Sequence, residues 1–201
     1  MTRTRNDSGK EWSGRSAATE YQRLAATLLR RHFGDVRLEW SVVKDATDAF
    51  SADINRYAPR VDIAVGPFNM TPGPDPRISE ALIPDTLQAV LGDRPSNPNP
   101  RCLLAIEVIY SGSSKHIMGD MLNAGALGLY GLVVGVDALM PKVRRIGEYL
   151  DLLARLEKTP WLFRNVVALS SGEFDSLMTL TSPETPADAD AQRIKRRGLP
   201  L

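Results

Sequence analysis

The sequence predicts an α/β domain in which a mixed central β-sheet is flanked by helices, and three observations predict it. A helical apolar pattern opens the ordered part of the chain, two short runs of alternating residues follow, and two almost continuously apolar runs later bracket a capped helix. A strand, a helix and a second strand in that order imply a parallel crossover, whereas the earlier alternating runs suit a meander.

Each element has its own signal. From Ser16, the residues Ala17, Tyr21, Leu24, Ala25, Leu28 and His32 fall on one helical face, and Gly34-Asp35 stops the pattern. Positions 36–43 alternate Val36, Leu38, Trp40 and Val42 against Arg37, Glu39 and Ser41, which predicts a strand. A second strand is expected over 60–66, with Val61, Ile63 and Val65 on one face and Arg60, Asp62, Ala64 and Gly66 on the other. Positions 67–100 are rich in proline, glycine and asparagine at both ends, with a short amphipathic helix near 78–91. That segment reads as an insertion or excursion within one domain. Positions 102–110 form an apolar run expected at the centre of the sheet, covered on both faces. Ser111-Gly112-Ser113-Ser114 then turns the chain and offers a hydroxyl cap to a helix from Lys115 to about Leu127. A buried strand at 129–136, a helix at 142–158 and a strand at 161–169 complete the expected domain of 16–181. Residues 1–15 read as a flexible leader and 182–201 as a disordered tail that ends in Arg193, Lys195, Arg196 and Arg197.

Composition narrows the class. With 43% hydrophobic and 24% charged residues the chain can bury a core, which excludes a disordered chain. No apolar run approaches the ~18 residues of a membrane span, so no membrane partner is expected. A single cysteine, Cys102, leaves no internal disulfide and no multi-cysteine zinc site, so the cytoplasm is the expected compartment. The formal charge of +1 is too small to identify a partner.

Two carboxylates carry the chemistry. Glu107 is the one charge in Leu103-Leu104-Ala105-Ile106-Glu107-Val108-Ile109-Tyr110, and removing a carboxylate from water costs several kcal/mol unless something compensates. Asp62 repeats the pattern in Val61-Asp62-Ile63-Ala64-Val65, with small residues beside it on the same face. Two such groups on one side of neighbouring strands repel each other unless a cation joins them. Oxygen ligands of this kind suit magnesium or manganese. Lys115 stands in the first turn of the next helix, where a cation opposes the dipole, so a functional reason for it is worth seeking. On that helix Ile117, Met118, Met121, Leu122 and Gly125 make the expected buried stripe. His116, Asp120 and Asn123 are read as a solvated face that a ligand could also touch. No phosphate-binding glycine loop and no nucleophile elbow occur.

This arrangement resembles the PD-(D/E)xK nuclease superfamily, the restriction-endonuclease-like fold, over roughly residues 16–136. The likeness rests on Glu20-Tyr21-Gln22 in the opening helix, Arg60-Val61-Asp62-Ile63, Ala105-Ile106-Glu107-Val108-Ile109, and the helix and strand that follow. It implies that Asp62 and Glu107 are catalytic metal ligands for Mg2+ or Mn2+. Glu20, for whose place Gln22 competes, is the nearest match to a further acidic residue of the first helix. The family lysine normally stands two residues after the glutamate, where this chain has Ile109, and Lys115 looks like a migrated replacement. Ser113 and His116 beside it are additional candidates.

The resemblance implies a metal-dependent nuclease acting on phosphodiester bonds, with DNA as the expected nucleic-acid partner and a homodimer among the expected assemblies. Arg30, Arg31, Arg56, Arg60 and Arg145 are candidate phosphate contacts. If Lys115 does not serve the site, a catalytically inactive nucleic-acid-binding or assembly module with the same fold is the alternative. An α/β protein whose acidic residues are structural is a third.

Overall fold

The expected alternation of apolar faces produces a five-stranded mixed sheet with helices on both sides. The computed structural model describes residues 14–42, 59–156 and 164–180. The tail at 182–201, all but the last two residues of the leader, Arg56, and the start of the expected strand at 161–169 lie outside the described residues. In chain order the elements are α1 (Gly14–Leu29), β1 (Val36–Ser41), β2 (Arg60–Val65), a 3-10 turn (Glu80–Leu82) and α2 (Asp85–Leu91). They continue with β3 (Cys102–Ile109), α3 (Ser114–Leu127), β4 (Gly128–Gly135), a second 3-10 turn (Asp137–Leu139), α4 (Met140–Arg155), β5 (Val166–Ser170) and α5 (Ser171–Leu180).

Spatial order in the sheet follows chain order, β1-β2-β3-β4-β5. The first two pairings are antiparallel and the last two parallel. The change of direction falls at β3, where α3 makes the first crossover. With α2 of the 67–100 excursion set aside, the opening order of helix, three strands, helix, strand is compatible with a restriction-endonuclease-like architecture. β3 and β4 are buried along their whole length, as expected for strands covered on both faces.

One face of the sheet, including Ile63, Val65, Leu104, Ile106, Val108, Leu132 and Val134, packs with Tyr21, Ala25 and Leu29 of α1, Leu87 and Leu91 of α2, and Phe174 and Met178 of α5. The other face packs against α3 and α4. There Ile109 and Val133 cluster with Ile117, Met121 and Val143, while Ala64 and Ala105 cluster with Ala124 and Leu127. Small residues let α3 approach closely: a Cβ on Gly131 would stand 2.8 Å from the Ala124 backbone carbon. The 67–100 excursion is anchored in this architecture, because Ile78, Ile83, Leu87 and Leu91 are all buried in the first core.

The excursion also finishes α3. The last carbonyls of a helix have no partner within it. Here the Asn97 amide donates to the carbonyls of Gly125, Ala126 and Gly128 at 3.0–3.2 Å, and the Asn165 amide donates to Gly125 at 2.9 Å. Asn97→Ala should therefore destabilise the protein by ~1–3 kcal/mol, the cost of leaving buried acceptors unpaired. Equilibrium urea unfolding checks this, and an unchanged midpoint would mean that Asn165 suffices alone.

Candidate functional site

The geometry of Asp62 and Glu107 follows from the register of β2 and β3. Ile63 pairs with Ile106 at the last rung, and one step further along the same register sets Asp62 opposite Glu107. Side chains directly opposite on antiparallel strands share a face with Cβ atoms ~5 Å apart. Beyond the last rung the two residues bond across the gap. The Val108 N–H donates to Asp62 Oδ2 at 2.8 Å, and the Asp62 N–H donates to the Glu107 carboxylate. Asp62 also accepts from the side chain of Gln22, which is buried on α1. The aspartate thus sits where the strands part, held by one backbone donor and one amide.

Glu107 is 6% exposed, and its Oε1 has no hydrogen-bond partner among the described residues. Burial raises its pKa well above the usual carboxylate range, and the charges of Asp62 and Asp120 raise it further; the Asp62 N–H partly opposes them, while a hydrogen bond between the Glu107 and Asp62 side chains adds to the rise. Burial also raises Asp62, against the Val108 N–H; Glu39 adds to the rise, while Gln22 and Arg60 counter it. Asp120, on α3, is pushed up to about 6 by burial, with His116 opposing the rise and Asp62 adding to it. A third carboxylate therefore joins the pair electrostatically, from a position that sequence periodicity assigns to the solvated face.

Its position has a plain origin. Ile117, Asp120 and Ala124 follow one another at spacings of three and four on α3, and both apolar members are buried against the sheet. Asp120 lies on the flank of that row and is half-buried. A fourth acid, Glu39, falls opposite Asp62 in the β1–β2 register. Its φ of 50° is left-handed, its rung is missing from the ladder, and it is ion-paired to Arg60 at 3.0 Å. An acidic residue in a strand carries no sequence mark of such a backbone, so only the coordinates reveal it.

The remaining candidates are not gathered around the pair. Glu20 is exposed on α1, and its charge is felt at Tyr110; the α1 residue that reaches Asp62 is Gln22. Ser113 is the N-cap of α3, its hydroxyl accepting from the His116 N–H at 3.4 Å. His116 is exposed and acts on Asp120. Lys115 is exposed in the first turn of α3, roughly opposite Ala124 around the helix, and makes no contact with Asp62 or Glu107 among the described residues. Ile109, at the family's usual lysine position, is 2% exposed and sits in the apolar cluster with Ile117 and Met121. Of the candidate phosphate contacts, Arg30 donates to the Val36 carbonyl, Arg60 is held by Glu39, and Arg31 and Arg145 are exposed.

The donor set fits a small hard cation in one respect and limits it in another. Two opposed carboxylates with an orphaned buried oxygen are the arrangement that a divalent cation relieves. Among the described residues, no three His, Cys, Asp or Glu side chains stand at direct ligand spacing. Magnesium commonly takes only one or two protein carboxylates and fills its octahedron with water and substrate phosphate. No described helix is long and apolar enough to cross a membrane. No family model, curated protein or solved structure matches this chain.

Proposed function

We propose that this protein is a metal-dependent nuclease that hydrolyses phosphodiester bonds, with DNA as its substrate and the cytoplasm as its setting. The observation that carries the reading is the buried, unpartnered Oε1 of Glu107 facing the Asp62 carboxylate. Asp62 and Glu107 would hold Mg2+ or Mn2+. When bound, such an ion supplies Lewis acidity to a phosphate oxygen and to water. The chain's own work is positional. Gln22 and the Val108 N–H fix the Asp62 carboxylate, and the Asp62 N–H fixes that of Glu107. Lys115 and His116, exposed at the start of α3, are assigned to the phosphate backbone of an approaching strand, where charge compensation favours the transition state.

A second reading has its own support. Ile109 is sealed in the core, and Lys115 is exposed with no contact to either carboxylate among the described residues, which favours a metal-binding nucleic-acid module that does not cleave. One assay separates the two. Single- and double-stranded DNA and RNA are incubated with the full chain and Mg2+ or Mn2+, with Asp62→Asn and Lys115→Met in parallel. The nuclease reading expects metal-dependent cleavage of DNA, abolished by Asp62→Asn and reduced by Lys115→Met. A loss of ~10²-fold would match removal of one electrostatic stabiliser. Metal-dependent binding of DNA without cleavage would select the module instead.

A further inference from the structure

The carboxylate pair is met by a third acid from a separate element, and the packing of α3 fixes where it stands. On β3 the residues Ala105, Glu107 and Ile109 share one face. Ala105 clusters with Ala124 and Leu127, and Ile109 with Ile117 and Met121. Glu107 therefore faces α3 between two apolar contacts. On the helix, Asp120 occupies the level between Ile117 and Ala124, which are those same contacts seen from the other side. The charge of Asp120 acts on Glu107, and that of Asp62 acts on Asp120, so the three carboxyl groups lie within electrostatic reach of one another. Glu107 is buried, and its Oε1 has no hydrogen-bond partner among the described residues. An apolar residue at 120 would extend the helix–sheet seam; a third acid there adds to the repulsion at Glu107, and its one opposing charge among the described residues, His116, is exposed one turn away on the same helix.

We propose that Asp120 is the outer carboxylate of the metal centre, acting on the ion through an intervening water while Asp62 and Glu107 ligate directly. This rests on the reading of Asp62 and Glu107 as metal ligands. The water follows from the spacing, since no three acids among the described residues stand close enough to ligate together, and magnesium and manganese retain waters for which outer carboxylates are natural acceptors. The ligand set would then come from β2, β3 and α3, joining the helix to the sheet through the ion.

The test is calorimetric titration of the full chain with Mn2+, comparing wild type, Asp62→Asn, Asp120→Asn, Asp120→Glu and Glu148→Gln. Glu148 is exposed on α4 and controls for general loss of negative charge. Asp120→Asn should weaken Mn2+ affinity by ~10- to 100-fold, the usual effect of losing an outer-shell partner. Asp120→Glu should recover most of it, Glu148→Gln should match wild type, and Asp62→Asn should lose binding altogether. Melting of each metal-free variant verifies folding. Wild-type affinity in Asp120→Asn with binding lost in Asp62→Asn would overturn this proposal and leave the metal pair standing. Equal weakening in Glu148→Gln would overturn it too, by showing a diffuse charge effect. Absence of Mn2+ binding by the wild type would remove the pair and the outer carboxylate together.

Discussion

Glu107→Gln is expected to stabilise the metal-free protein at neutral pH and to abolish its response to manganese. Burial, and then the charges of Asp62 and Asp120, raise the Glu107 pKa above its unfolded value. A carboxyl group raised in this way contributes stability that is fully present below its unfolded pKa, about 4.3 for glutamate, and is lost as pH rises through the folded value. The same holds for Asp120, whose contribution is gone above its folded pKa of about 6. Metal-free wild type should therefore lose stability as pH rises from about 4 to about 6 through Asp120, and further as pH passes the raised pKa of Glu107. The amide introduced by Glu107→Gln does not ionise and can still accept the Asp62 N–H, so the variant should lose less, and its advantage should grow with pH. Manganese reverses the order. At 100 times its Kd, a ligand stabilises the folded state by ~2.7 kcal/mol, which is roughly 5–10 °C in Tm for a chain of this size. The variant should show none of that gain. Thermal melts from pH 5 to 8, with and without Mn2+, read both effects. A variant less stable than wild type at pH 8 without metal would mean that the Glu107 charge supports the fold.

How much of this is legible in the sequence depends on what kind of signal each feature leaves. β3 announces itself because eight consecutive buried positions carry one charge, and a lone Glu107 in such a run has few inexpensive explanations. Asp62 stands out for the same reason, and the order of elements predicts that its strand neighbours β3. Helix phase is harder to read. Asp120 sits on the flank of the buried row, where a small error in the assumed stripe moves a residue from interface to solvent. A stripe that counts Met118 and Leu122 as fully buried, when both are only half-buried, is turned away from Asp120. Lys115 shows the converse: its place in the first turn is readable, but which way its side chain points depends on that same phase. Gln22 is visible as a rival to Glu20, and only packing of α1 on the sheet decides which of them reaches Asp62.

The helix α5 does leave a signal, and substitution of Phe174 tests how much it matters. β5 ends at Ser170 and α5 begins at Ser171 with no linker, so the apolar run of the strand obscures the start of the helix. Ser170-Ser171-Gly172-Glu173 is nonetheless a capping box. The Glu173 N–H donates to Ser170 Oγ at 3.2 Å, and the Ser170 N–H donates back to Glu173 Oε2 at 2.6 Å. The helix then places Phe174, Leu177 and Met178 at i, i+3 and i+4; Phe174 is fully buried and Met178 nearly so. Polar contacts fasten it to α1, the element that carries Gln22, and to the turn that follows α1. The Tyr21 hydroxyl donates to Asp175 Oδ1 at 2.9 Å, and His32 Nε2 lies 2.9 Å from the Met178 carbonyl. Phe174→Ala would open a cavity in the largest core cluster, beneath both helices. Such truncations cost ~3–5 kcal/mol, a large part of the roughly 5–15 kcal/mol by which a domain is usually stable. The variant should therefore unfold at a markedly lower urea concentration with an unchanged m-value, and Phe174→Leu, which fills most of the space, should recover much of the loss. A Phe174→Ala midpoint within error of wild type would mean that α5 is an appendage, and that α1 holds Gln22 against Asp62 without its help.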